Sequence, residues 1–426
     1  MVTQSSIELT LADQQADFIN NEFRTKGVIR NISKIKPPKN WITVVMGGRR
    51  SGKSTFCQQQ CDPEQTVYVN FDDDRIFGLK TENLQTVYET ALTIKPKFDT
   101  LILDEIQNIP GWELFASRLQ RKGIRLWVTG SNSNLLSREL ATHLTGRAFP
   151  VEIFPFAFNE WLQARKVRFK PSLLSNDRAA LRAHFDEFLK AGGFPELTHN
   201  DNIRPYLRTL FDQIIQKDIA QRHPRVDSSL LKQVALHSQQ FYGCRISYRQ
   251  LESSLDGASI NTIKQILFWL EETYLLFQLP NRTQKLKQAP KIPRKIFSID
   301  TGMIEALRTK LTPDLGLILE NMIFLELKKH GFDCFSYSGS DFEVDFIIQN
   351  QDRATELIQV CYELSNPATE EREVTALLKA SALFRCDQLK LITRHEEGVL
   401  KKHGKPIQII PAWKWALGLC NTPTLR

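Results

Sequence analysis

The residues best suited to chemistry form one short run, Gly47-Gly48-Arg49-Arg50-Ser51-Gly52-Lys53-Ser54, followed by Thr55. A glycine, any four residues and a Gly-Lys-Ser triplet form the signature of a phosphate-cradling turn. Glycine lets successive backbone N–H groups curl round an anion without a Cβ in the way. Lys53 then neutralises β- and γ-phosphate charge, and the Ser54 hydroxyl takes a place on Mg2+. The candidate nucleotide-binding residues are therefore Gly47, Gly48, Arg49, Arg50, Ser51, Gly52, Lys53, Ser54 and Thr55. Further along, the apolar run Leu101-Ile102-Leu103 ends in Asp104-Glu105. Asp104 is suited to holding the hydration shell of Mg2+ beside Ser54, and Glu105 to polarising the attacking water.

The elements around these residues are those the chemistry needs. Ile42 to Met46 is apolar and β-branched enough to be a buried parallel strand, and no helix breaker follows Ser54. The loop thus sits between a strand and a helix N-terminus, where positive partial charge favours phosphate. Thr66 to Phe71 and Ile124 to Asn132 read as further strands. The second places Asn132, or Ser131, where a polar side chain senses the γ-phosphate. Asp72-Asp73-Asp74 reads as a turn and helix cap rather than a metal site. Arg147 is a candidate for transition-state charge, in cis or towards a neighbouring subunit of a homo-oligomer.

Composition bounds the rest. The chain has 426 residues, enough for two to four domains, with 42% hydrophobic and 24% charged residues. A net charge of +8 tilts the choice of partner weakly towards an acidic one such as nucleic acid. The polar start is no signal peptide and no apolar run is long enough to span a membrane. Seven cysteines without a CxxC pair point to free thiols in a reducing cytoplasm.

Several stretches together resemble one family. Tyr68 to Asp73, Leu103 to Gln107, Thr129 to Asn132, Leu144 to Arg147 and Phe154-Pro155-Phe156 occur in this order. So do Gly192-Gly193-Phe194-Pro195-Glu196, Leu319-Glu320-Asn321 and Glu343-Val344-Asp345-Phe346. The chain resembles a large prokaryotic family of AAA-like P-loop ATPases fused to a C-terminal domain of unknown function. The resemblance covers nearly the whole chain and implies ATP binding and hydrolysis. Gly48 departs from it, standing where many members carry proline.

The expected fold is α/β: a P-loop NTPase (AAA-like) core on a parallel sheet, with a helical lid, a winged helix and a C-terminal nuclease-like domain. The expected domains are an N-terminal helical segment at 1–38 and an ATPase core at 39–165. A lid at 166–227, a winged helix at 228–300 and a nuclease-like domain at 301–426 follow. In the winged-helix stretch, helices at Leu230 to His237, Ser247 to Leu255 and Ser259 to Leu270 precede two strands that flank a basic loop. Asn261 and Lys264 on the third helix, with Lys285, Lys287 and Lys291 in the loop, are the candidate DNA contacts.

In the last domain, Glu320, Asp345 and Gln359 fall where PD-(D/E)xK nucleases keep their metal site. The Glu-x-Lys place reads Gln359-Val360-Cys361, and no lysine accompanies Glu363, the one acid that could substitute. A DNA- or partner-binding relic of that fold is the preferred reading over an active nuclease. The expected activity is Mg2+-dependent ATP hydrolysis coupled to the C-terminal half. The rivals are a signalling NTPase switch that touches no DNA and an ATP-dependent nuclease.

Overall fold

Five strands carry the first half of the chain: β1 (Ile42–Met46), β2 (Thr66–Asn70), β3 (Thr100–Asp104), β4 (Arg125–Gly130) and β5 (Ala148–Glu152). They form one sheet in the order β2-β3-β4-β1-β5, and every neighbouring pair is parallel. A parallel sheet is covered on both faces, so β1 and β3 are buried throughout and read as unbroken apolar runs. The order inserts β4 between β1 and β3. The C-terminal ends of β1 and β3 therefore lie two strand spacings apart, about 10 Å, with the end of β4 between them.

The computed structural model describes residues 2–34, 36–131, 147–169, 174–199, 202–255, 257–282, 292–309 and 312–419. It divides into two compact units: Met1–Phe154 with Glu272–Tyr274, and Pro155–Glu271 with Leu275–Arg426. The first holds the five-stranded sheet. Its N-terminal helical stretch breaks into α1 (Gln4–Asn20), α2 (Glu22–Lys26) and a 3-10 turn at Asn31–Lys34. Two glutamines fasten α1 to β2, the edge strand. Gln15 donates to Thr66 O and accepts from Tyr68 N, at 3.0 and 3.1 Å. Gln14 donates to Asn70 O and accepts from Asn70 N, at 3.0 and 2.9 Å. An exposed strand edge invites pairing with another chain, and here helical side chains satisfy it instead. Asp73 caps a 3-10 turn by accepting from Arg75 N, as expected of that acidic triplet. Hydrogen bonds from Arg75 and Gln14 outweigh burial and hold its carboxyl near 2.

The second unit carries two sheets. β6 (Arg245–Ile246), β7 (Leu276–Leu279) and β8 (Arg294–Ser298) form an antiparallel sheet in the order β6-β8-β7. The helix Ser228–Gln240 precedes β6, and the helices Tyr248–Ser254 and Ile260–Glu272 lie between β6 and β7. Six later strands are β9 (Asp333–Ser338), β10 (Glu343–Asn350), β11 (Arg353–Cys361), β12 (Leu389–Thr393), β13 (Gly398–Lys402) and β14 (Lys405–Pro411). Their order is β13-β14-β12-β11-β10-β9. The helix Pro367–Phe384 lays Val374, Leu377 and Ala380, each three residues apart, into the core made by Val344, Ile347, Leu357, Leu391 and Ile407. Among the described residues, no helix is long and apolar enough to cross a membrane.

Candidate nucleotide site

The loop after β1 has a backbone that only some residues can adopt. Gly47 lies at φ +151°, and a Cβ there would stand 2.0 Å from the Ile153 carbonyl oxygen. Gly52 lies at φ +94° as the N-cap of α3 (Lys53–Gln60). Arg50, with a side chain, is nonetheless at φ +64°, a strained position of the kind that clusters at binding loops. Arg30 buttresses the turn from outside. Its guanidinium is buried and donates to Ser51 O at 3.0 Å and to Phe154 O.

Lys53 lies almost wholly buried at the mouth of α3, its Nζ 3.1 Å from Gly48 O and 3.8 Å from Glu105 Oε1. Ser54 and Thr55, in the first turn, are half-buried. Asp104, 2% exposed at the end of β3, has both carboxylate oxygens engaged. Tyr68 donates its hydroxyl to Oδ2 at 2.5 Å, and Thr129 on β4 donates to Oδ1. Burial, and then the Asp104 charge, raise the Tyr68 phenol well above its ordinary value, so it stays a donor. Thr129 also accepts from Glu105 N at 3.0 Å. Glu105 sits at φ +55°, and Gln107 donates to its Oε2. The inserted strand β4 thus ties the two carboxylate-bearing residues together through a single threonine hydroxyl.

A nucleotide and its Mg2+ fit these residues. Two fully buried hydroxyls, Ser51 Oγ in the loop and Ser131 Oγ just past β4, find no partner among the described residues. A buried orphan hydroxyl costs about 1–3 kcal/mol, and both lie beside residues suited to phosphate.

Comparison with known proteins places the chain in a family. The AAA domain family model matches residues 39–162, and a Domain of unknown function (DUF8612) matches residues 182–315. An uncharacterized protein of Methanocaldococcus jannaschii is 33% identical over 434 residues, which is 97% of this chain and 97% of that protein. The chain belongs to this AAA-domain family. Within it, an uncharacterized protein of Haemophilus influenzae is 28% identical over 76% of this chain and 83% of its own. Solved structures with some likeness to this AAA-domain protein include a Walker-type ATPase of Pyrococcus abyssi. It is 14% identical, covers 63% of this chain and 91% of that one, and has a TM-score of 0.40. The ADP form of ORC2 from Aeropyrum pernix is 10% identical, covers 73% and 93%, and has a TM-score of 0.31.

The fold of this AAA-domain protein brings Lys53, Asp104 and Glu105 together but not Arg147. Arg147 is exposed, and its carbonyl accepts from Ile42 N at the start of β1. The loop leaves the other end of that five-residue strand, roughly 13 Å away at 3.3 Å per residue. Asn132 lies outside the described residues, as do Lys285, Lys287 and Lys291. Asn261 and Lys264 are exposed on their helix, and Lys264 Nζ sits 5.2 Å from the centre of the Tyr248 ring.

In the second unit, Glu320, Asp345 and Gln359 line one cavity of about 790 Å3. Gln359 Oε1 accepts from Asp345 N at 3.1 Å, and its Nε2 donates to Glu373 at 2.6 Å. Burial pushes the Cys361 thiol up to about 11, so it carries no charge at the place where a nuclease has lysine. Glu363 is exposed and does not line the cavity. A lysine does enter this cavity, from outside the Gln359-Val360-Cys361 stretch. Lys295, from β8, reaches both Glu320 and Asp345. Burial works against its charge, but Asp345, Glu320 and Glu343 outweigh that and keep it protonated. The sequence reading missed Tyr68, Thr129, Arg30 and Lys295. Each acts across strands or elements that no local spacing connects.

Proposed function

We propose that this protein binds Mg-ATP, hydrolyses it, and passes its nucleotide state to a C-terminal half that engages DNA or a protein partner. The observation that carries the reading is the meeting of Lys53 with Glu105, beside a buried Asp104, where a glycine-built loop opens α3. Backbone N–H groups of Gly47 to Thr55 cradle the phosphates. Lys53 exchanges its contact with Glu105 for phosphate oxygen, which frees Glu105 to accept a proton from water. Mg2+, when bound with the nucleotide, supplies charge neutralisation between the phosphates. Ser54 and Asp104 hold it, with Tyr68 and Thr129 fixing the orientation of Asp104. Ser131, or Asn132 beyond it, faces the terminal phosphate. Arg147 serves only from a neighbouring subunit.

Equilibrium binding of Mg-ATP tests the site. Losing one charged hydrogen bond is worth about 1.5–3 kcal/mol, so Lys53→Ala should weaken binding roughly 10- to 100-fold. Undiminished binding would remove the basis of the proposal.

For the C-terminal half, the order helix, β6, helix, helix, β7, β8 supports a winged-helix reading. The order helix Leu315–Lys329, β9, β10, β11, helix, β12 supports a nuclease-like frame. Asn261 and Lys264 would read a groove, and Lys285, Lys287 and Lys291 would hold phosphates. Gel shifts over a salt series test this. Affinity should fall steeply with salt, and charge reversal at the three loop lysines should weaken it. Absence of binding at low salt leaves the switch that acts on protein alone.

A further inference from the structure

Lys295 is the least expected side chain in the C-terminal cavity. Its ammonium lies 2.8 Å from Glu320 Oε1, 2.9 Å from Glu343 Oε1 and 2.7 Å from Asp345 Oδ1. An ammonium has three protons and no acceptor, so three carboxylates saturate it. The four groups come from three separate places. β8 supplies the lysine, the helix Leu315–Lys329 supplies Glu320, and β10 supplies both Glu343 and Asp345. Lys295 is 3% exposed, so water does not complete its shell. The other groups around it are also committed. Asp345 Oδ2 accepts from Val360 N at 2.9 Å, and Arg245 donates to Glu343 Oε1 at 3.3 Å.

We propose that Lys295 is a resident cation: its ammonium fills the position between Glu320, Glu343 and Asp345 that a divalent metal ion would otherwise take. Carboxylate oxygens bind Mg2+ or Ca2+ at about 2.0–2.6 Å. The Lys295 contacts are only slightly longer and converge on the same point, so lysine and metal exclude each other. The lysine is tethered, always present and held by three carboxyl groups, whereas a metal ion must be recruited from solution. Gln359 fits this arrangement. It spends its amide on Asp345 N and Glu373, and offers no further carboxylate to a metal. The cavity of the wild-type chain is thus assembled without metal, and it presents no ion able to activate water on a phosphodiester.

The test is Mn2+ binding to nucleotide-free full-length chain, followed by titration calorimetry and by the spin signal of free Mn2+. Wild type should show no binding that Asp345→Asn removes. Lys295→Ala should gain one Mn2+ site per chain, at least ~10-fold tighter than any in wild type, and Asp345→Asn in that background should abolish it. Removing lysine leaves buried carboxylates facing each other, so the variant will be less stable. Mn2+ should restore its melting temperature while leaving that of wild type unchanged. Lys295→Met, which fills the space without charge, provides a second test of the same metal-dependent recovery. The proposal is overturned if wild type binds Mn2+ in an Asp345-dependent way. It is equally overturned if both lysine variants, shown folded by circular dichroism, neither bind Mn2+ nor are stabilised by it. Mn2+-dependent DNA cleavage by wild type, lost in Lys295→Ala, would make the lysine part of a working metal site and also contradict it.

Discussion

Tyr68 shows how a single hydroxyl can tune the site. It donates to Asp104 Oδ2, stacks on Phe18 of α1 at 5.6 Å, and has its backbone N–H held by Gln15. Tyr68→Phe removes only the oxygen. A hydrogen bond to a charged group is worth about 1.5–3 kcal/mol, and its loss lets the carboxylate turn. The expected outcome is unchanged nucleotide affinity in the absence of Mg2+, but a Mg2+ requirement for hydrolysis raised about 10-fold or more. A Mg2+ titration of the rate checks this, and an unshifted requirement would show that Tyr68 merely fills space. Gly47 is stricter. Alanine there would place Cβ 2.0 Å from the Ile153 carbonyl at φ +151°, so Gly47→Ala should displace the loop and lose both nucleotide binding and stability. At this scale the sequence reveals what is contiguous. Gly47 to Ser54 and Asp104-Glu105 stand out because each is a local string. Tyr68, Thr129 and Asp104 meet only once β2, β3 and β4 are laid side by side, and no spacing along the chain encodes that.

Among the elements, α1 and the joint around Asp300 carry the clearest consequences. The N-terminal stretch reads as helical, but its role does not, because glutamines on a helix face look like solvated ones. Gln15→Ala would leave Tyr68 N without its partner and Thr66 O with only a long 3.4 Å contact from Lys95 Nζ. At about 1–3 kcal/mol for an unsatisfied buried group and about 2–4 °C per kcal/mol, the melting temperature should fall by several degrees. Gln14→Ala with Gln15→Ala should also promote self-association through the bared edge of β2, measurable by light scattering.

Asp300 explains the paired glycines noted in the sequence. Its Oδ2 accepts from Gly193 N at 2.6 Å and its Oδ1 from Met303 N at 3.1 Å, and a Cβ on Gly192 would strike it at 2.0 Å. Burial raises its carboxyl from 3.8 to about 6, against the pull of those N–H groups and of Lys329. Between these values the folded state binds more protons than the unfolded one, so this group's contribution to stability falls as pH rises from about 4 to about 6. Asp300→Asn removes the titration. The stability of the variant relative to wild type should therefore increase across that window, by about 3 kcal/mol at 1.36 kcal/mol per unit. Denaturant unfolding at pH 4, 5, 6 and 7 measures it, and a flat difference would contradict the assignment.

For the molecule as a whole, the broad class was legible. Alternating apolar runs and helical stretches signal a parallel α/β core, and the structure has it in the β2-β3-β4-β1-β5 sheet. Glu320, Asp345 and Gln359, singled out together in the last region, line one cavity. The sequence reading missed Lys295 because that residue precedes the region and enters it from the β6-β8-β7 sheet. Arg147 shows the opposite limit of locality. It follows the core strands closely in sequence, yet its backbone pairs at the far end of β1.

The central claim is that Glu105, released by Lys53, draws a proton from water at a bound nucleotide. Single-turnover hydrolysis of Mg-ATP by wild type and Glu105→Gln tests it most directly, because glutamine keeps the shape and removes the base. The variant should retain ATP at wild-type affinity and hydrolyse it about 10²–10⁴-fold more slowly. Hydrolysis at the wild-type rate by a variant with full occupancy would contradict the account.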